Sequence, residues 1–160
     1  MKELRMIDEI SLKILNILQK KARIPNVEVA RQVGMAPSAV LERIRKLEKN
    51  GFIDGYEVRL NPEKFRRKLV AFISVVSSVS ESVPLTAKRL SAIPEIQEVH
   101  YITGQDSFLV KVRISDVTEL GKLIQNKILK IAAVNTTHTA IAMSTYKETA
   151  RIPIDATDII

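Results

Sequence analysis

Asn26-Val27-Glu28-Val29-Ala30-Arg31-Gln32-Val33-Gly34-Met35-Ala36-Pro37-Ser38-Ala39-Val40-Leu41-Glu42-Arg43-Ile44-Arg45-Lys46-Leu47 is the stretch that decides the fold. Val29, Ala30 and Val33 recur at helical steps, with Asn26 placed as an N-cap of a short helix. Gly34 stands where a helix C-terminus often needs a left-handed residue. Pro37 suits the first position of a new helix, because its missing N–H would have no partner there anyway. Val40, Ile44 and Leu47 form the buried stripe of that helix. Ser38, Glu42, Arg45 and Lys49 project from the opposite face, with Ala39 and Lys46 beside them and Arg43 on the flank. Ala36 is then a poor cap, and Asn50-Gly51 closes the helix.

Upstream, Ile7, Ile10, Ile14, Ile17 and Leu18 mark an amphipathic helix over about Asp8 to Lys20, with Asp8 or Ser11 available to cap it. A supporting helix, then two helices joined by Gly34-Met35-Ala36, is the helix-turn-helix arrangement. Its second helix can enter a major groove with its N-terminal residues nearest the base edges. Arg43, Arg45 and Lys46 can reach phosphates or guanine edges. Small Ser38 and Ala39 allow close approach and can meet a base edge or a thymine methyl.

Charge points the same way. The chain has 160 residues and a net charge of +7. Residues 1–70 hold 16 Lys+Arg against 9 Asp+Glu, a net of +7, and residues 71–160 hold 9 against 9. The whole surplus therefore sits in the first 70 residues, which fits double-stranded DNA as partner. No Cys is present, which excludes a disulfide scaffold, thiolate metal ligands and a Cys nucleophile. Leu69–Ser80 and Ile131–Tyr146 are uncharged, but both fall short of the roughly 20 apolar residues that span a bilayer. No membrane association and a cytoplasmic location are the expectations.

The remainder reads as strands and two helices. Tyr56, Val58 and Leu60 alternate in a connecting strand that Asn61-Pro62 breaks. Strands follow at 69–79, 96–103, 108–114 and 134–146. Pro84 to Ile93 is one helix, and Val117, Leu120, Ile124 and Ile128 mark another. The order β-α-β-β-α-β is that of a ferredoxin-like domain. Such a sheet leaves one face without helices, which predicts a homodimer. The fold class is α+β. The expected division is 1–54 for the helix-turn-helix, 55–65 for a connecting strand or hinge, 66–150 for the ferredoxin-like domain and 151–160 for a C-terminal tail.

The residues also match a known pattern. Ile7-Asp8, Ile14-Leu15, Ala22-Arg23-Ile24, Asn26 to Ala30, Val33-Gly34, Pro37-Ser38 and Leu41 to Ile44 carry it, followed by Leu47-Glu48, Gly51-Phe52-Ile53, Gly55-Tyr56 and Leu60-Asn61-Pro62. It continues through Glu98 to Tyr101, Thr103-Gly104 and Leu109 to Val112. This ordered series resembles the leucine-responsive regulatory protein (Lrp/AsnC) family over residues 6 to about 150. The resemblance implies a transcriptional regulator. Its second domain would sense a small molecule, typically an amino acid, and assemble dimers into tetramers or octamers.

The resemblance places an effector pocket around the turn between the two central strands, here Gly104-Gln105-Asp106-Ser107-Phe108. The acidic residue usual at the fourth place is Ser107, with Asp106 one place earlier. An amino acid's ammonium favours a carboxylate and its carboxylate favours N–H donors. Gly104 permits close approach of the backbone. Thr137 and Thr139 share one strand face and offer hydroxyls; Thr136 lies on the other. DNA contacts are expected from Asn26, Pro37, Ser38, Ala39, Glu42, Arg43, Arg45 and Lys46.

His100 and His138 are 38 residues apart in sequence and form no metal motif. No phosphate loop, nucleophile elbow or paired catalytic carboxylate appears. The reading is therefore not an enzyme, with no metal and no cofactor beyond the possible amino acid. Two other classes remain: an architectural protein that compacts DNA without an effector, and a ferredoxin-like enzyme with a basic accessory domain.

Overall fold

The computed structural model describes residues 7–78, 82–104, 107–155 and 157. The chain divides into two compact units, Met1–Arg59 with Glu148–Ile160, and Leu60–Lys147.

The first unit is built on three helices, α1 (Glu9–Lys20), α2 (Asn26–Val33) and α3 (Pro37–Lys49). Asp8 caps α1, its Oδ1 accepting from the Ser11 N–H at 2.9 Å. The cap of α2 is Pro25 rather than Asn26. The Pro25 carbonyl accepts from Glu28 at 2.9 Å and from Val29 at 3.2 Å, so the helix is entered one residue earlier than the Asn26 side chain suggests. Gly34 closes α2 at φ +71°, as its placement requires. Ile14, Val29 and Val40 are fully buried, one from each helix, and Ile44 and Leu47 complete their core.

The second unit holds β1 (Leu69–Ser77), α4 (Val83–Ser91), β2 (Ile96–Ile102), β3 (Ser107–Ile114), α5 (Val117–Asn126) and β4 (Val134–Ile141). The sheet is antiparallel in the order β2-β3-β1-β4, the ferredoxin-like pattern. Ile73, Val75, Phe108, Val110 and Val112 line its buried face against Leu90, Leu120 and Leu123 of the two helices. The opposite face carries Phe72, Ser74, Leu109, Lys111, His100 and His138 in register. Phe72 there is 39% exposed.

Two elements differ from expectation. The segment 55–60, read as a connecting strand, forms no ladder among the described residues, and Pro62–Phe65 is a 3-10 turn. Its alternating side chains have strand character, but a strand also needs a neighbour for its N–H and C=O groups. The last strand ends at Ile141, five residues short of Tyr146.

The start of α5 carries a pH-sensitive knot. Asp116 Oδ1 accepts from the Glu119 N–H at 2.8 Å. In return Glu119 Oε2 accepts from the Ser115 hydroxyl at 2.6 Å and the Ser115 N–H at 2.8 Å, and Glu119 also pairs with Arg67. These bonds, the Ser115 hydroxyl first, pull the Glu119 carboxyl from 4.5 down to about 2. A depressed carboxyl pKa contributes stability that is present above pH 4.5 and lost as pH falls toward 2. Acid titration of the thermal midpoint should therefore fall less steeply across that window in Glu119→Gln than in the parent. Equal slopes would remove Glu119 as the cause.

Candidate DNA-reading helix and effector turn

The turn Gly34-Met35-Ala36 sets α3 directly after α2. Met35 N–H returns to the Ala30 carbonyl at 3.0 Å, and Val40 N–H to Ala36 at 3.1 Å. With Val40, Ile44 and Leu47 buried, the helical period forces the other side of α3 outward. Pro37, Ser38, Glu42, Arg45 and Lys46 are exposed and Ala39 is half-buried. Lys46 Nζ meets Glu42 at 2.8 Å along the surface of the helix, an exposed pair that water screens and that adds little to the fold. Asn26 is the first residue of α2 and half-buried.

Arg43 is placed differently from its neighbours. Its Nη1 donates to Asp8 Oδ2 at 2.6 Å and to Ser11 Oγ at 3.1 Å. It therefore ties α3 to the first turn of α1. The Ser11 hydroxyl, then its amide and the Arg43 guanidinium, hold the Asp8 carboxyl below its usual range. Periodicity puts Arg43 on the flank of α3; its partners lie 35 and 32 residues away, beyond any local pattern.

The residues expected at an effector pocket fall into separate places. Gly104 sits in the β2–β3 hairpin at φ +115°, a conformation side chains rarely adopt, with open space where a Cβ would go. Gln105 and Asp106 lie outside the described residues, as does the side chain of Ser107. Phe108 is fully buried in the sheet core, and its ring packs 5.1 Å from Tyr101. The alternation of Phe108, Val110, Val112 and Ile114 already signals that inward face.

Thr137 and Thr139 do share one face, opposite Val75 and Ile73. One row across the sheet runs Tyr101, Phe108, Val75, Thr137. Two strand spacings, about 10 Å, thus separate Thr137 from Phe108. The hairpin and the β4 threonines belong to opposite edges of the sheet. Clefts of about 290 and 590 Å³ open at the end of the sheet away from the hairpin. The first is lined by Arg67, Glu95, Gln97 and Arg113, the second by Arg66, Arg67, Asp116, Glu119 and Lys122. Groups of acidic residues and histidines able to hold a metal are absent among the described residues, and no helix there is long and apolar enough to cross a membrane.

Comparison with known proteins follows the same division. Residues 7–54 match a model described as winged helix-turn-helix DNA-binding, and residues 68–152 one described as the Lrp/AsnC ligand binding domain. The leucine-responsive regulatory protein of Escherichia coli (strain K12) is 36% identical over 152 residues, 92% of each chain. That of Salmonella typhimurium (strain LT2) matches to the same degree. Among solved structures, a transcriptional regulator of Neisseria meningitidis in complex with L-Met superposes with a TM-score of 0.87 at 26% identity, covering 92% of this chain and 96% of that one. AsnC of E. coli superposes with 0.83 at 26% identity, covering 92% and 99%.

Proposed function

The chain belongs to the Lrp/AsnC family of transcriptional regulators, and on that premise we propose that it is a sequence-specific DNA-binding regulator controlled by an amino acid. Residues 1–54 bind DNA, 66–150 bind effector and assemble copies, and 55–65 form the hinge. The observation that carries the reading is the exposed face of α3, with Ser38, Glu42, Arg45 and Lys46 outward directly after a left-handed glycine turn. Ser38 and Ala39 lie against base edges, Arg45 and Lys46 reach phosphates or guanine, and Pro37 and Glu42 shape the entry. Asn26 offers its amide to a phosphate at the start of α2. Arg43 holds the helix at its angle.

A second copy covers what one chain leaves open. The helix-free sheet face and the unpaired segment 55–60 with exposed Tyr56, Val58 and Leu60 both suit a homodimer, from which tetramers or octamers grow. Paired recognition helices then read half-sites about one helical turn apart. An amino acid binds at the 104–108 turn, with Thr137 and Thr139 supplied across an interface between copies. This arrangement explains why one chain keeps the two sets apart. Effector acts by binding one assembly more tightly than another. The protein works in the cytoplasm and catalyses no reaction.

The test is a DNA-affinity titration over salt on selected and random duplexes, with a thermal-shift screen of the amino acids. Affinity that falls with salt, preference for a selected sequence and one stabilising amino acid are expected. No DNA binding overturns the reading. Equal affinity for both duplexes with no stabilising amino acid favours the compaction alternative. Gly104→Val strains the hairpin at φ +115°, at a cost of roughly 1–3 kcal/mol. It should abolish the amino-acid shift in calorimetry while DNA affinity stays within about twofold. Normal amino-acid binding by this variant would move the pocket elsewhere.

A further inference from the structure

The chain leaves the helical unit after Arg59 and returns to it at Glu148. Residues 148–155 of the returning stretch form no helix or strand, and side chains of α1 hold them instead. Gln19 Nε2 donates to the Ile152 carbonyl at 3.1 Å while its Oε1 accepts from the Ile152 N–H at 2.9 Å. Asn16 Nδ2 donates to the Ile154 carbonyl at 3.2 Å, and Arg151 reaches the Lys20 carbonyl at 3.4 Å. Asn16, Gln19 and Lys20 stand three and four residues apart, on one stripe of α1. A primary amide can donate and accept at once, so Gln19 does for residue 152 what a neighbouring strand would do. Ile154 packs against the core of the same unit.

The other end of α1 carries Asp8 and Ser11, which hold Arg43 of α3. One helix thus grips the returning stretch with its C-terminal half and the DNA-reading helix with its N-terminal turn. The match to the ligand-binding domain runs to residue 152, the residue that Gln19 clamps.

We propose that residues 151–154 are a positioning strap for the recognition helix, setting α1 and, through Asp8, Ser11 and Arg43, the placement of α3. The strap continues the chain from β4, so it is a second covalent path from the effector unit to the DNA-reading unit, besides the hinge at 55–65. This rests on the DNA-binding reading above. Packed side chains and hydrogen bonds with two discrete arrangements are what carry such coupling.

The experiment compares full-length Gln19→Leu, Gln19→Glu and Ile154→Ser with the parent, below their melting temperatures. Amide hydrogen exchange is followed in α1, α3 and the sheet, and affinity is measured for a mixed-sequence duplex at low salt. Gln19→Leu should speed exchange in α1 and α3, leave β1 and β3 unchanged and weaken DNA binding about fivefold. Gln19→Glu keeps the acceptor and loses the donor, so it should fall between parent and Gln19→Leu. A lowered melting temperature with unchanged DNA affinity would make the strap a stabiliser only and overturn the proposal. So would faster exchange confined to the last turn of α1. If the parent binds no duplex, the DNA-binding reading fails, and exchange in α3 alone then decides the strap.

Discussion

Phe108→Ala should cost the sheet unit about 3–5 kcal/mol, the usual range for emptying a buried aromatic site. The ring is fully buried between the sheet and its two helices, beside Val75 and Val110. Among the described residues it is the bulkiest of the side chains that are less than 2% exposed. Urea unfolding followed by circular dichroism reads this as a lower midpoint with little change in slope. Phe108→Leu keeps much of the volume and should lose far less. A ligand-lining Phe would behave in the opposite way: stability would hold and amino-acid binding would fall. That outcome would return Phe108 to the pocket.

Arg45→Ala with Lys46→Ala should weaken DNA binding about tenfold or more at physiological salt. It should also flatten the plot of log affinity against log salt by about one unit for each phosphate left without its cation. Both side chains stand exposed on α3, and the Lys46 pair with Glu42 contributes little to the fold. The thermal midpoint should therefore barely move. Arg43→Ala is expected to weaken binding and lower the midpoint together. It removes the bonds to Asp8 and to the mostly buried Ser11 hydroxyl, each worth about 1 kcal/mol net. If Arg43→Ala weakened binding with no thermal change, Arg43 would be a DNA contact and not a brace.

The helices are legible because a 3.6-residue period writes the buried stripe into local sequence. Val40, Ile44 and Leu47 stand out that way and are buried. Gly34 is legible because so few residues tolerate its φ of +71°. The period of two marks the inward face of β3, including Phe108. The same period misleads at residues 55–60, where the side chains alternate but the backbone forms no ladder among the described residues. It also runs past Ile141, since apolar and Thr-rich residues continue where the ladder stops.

The effector turn rests on a resemblance, and a resemblance carries positions without burial. Its glycine stands in the expected hairpin, while the last of its five residues belongs to the core. The strap is invisible in the sequence because most of its bonds to α1 use its backbone groups. Residues 151–154 show no period, and Gln19 and Asn16 look like any polar pair on a solvated face.

Sequence by itself determined the helix-turn-helix, the β-α-β-β-α-β order of the sheet unit and the confinement of the net +7 to the first 70 residues. Each follows from spacing within about a dozen positions or from counting. Tertiary structure alone decided that Arg43 braces α3, that Thr137 and the hairpin lie at opposite edges of the sheet, and that residue 152 closes onto Gln19. These join or separate groups 35, 33 and 133 residues apart. No local period encodes such a placement, because it exists only once independent elements have packed.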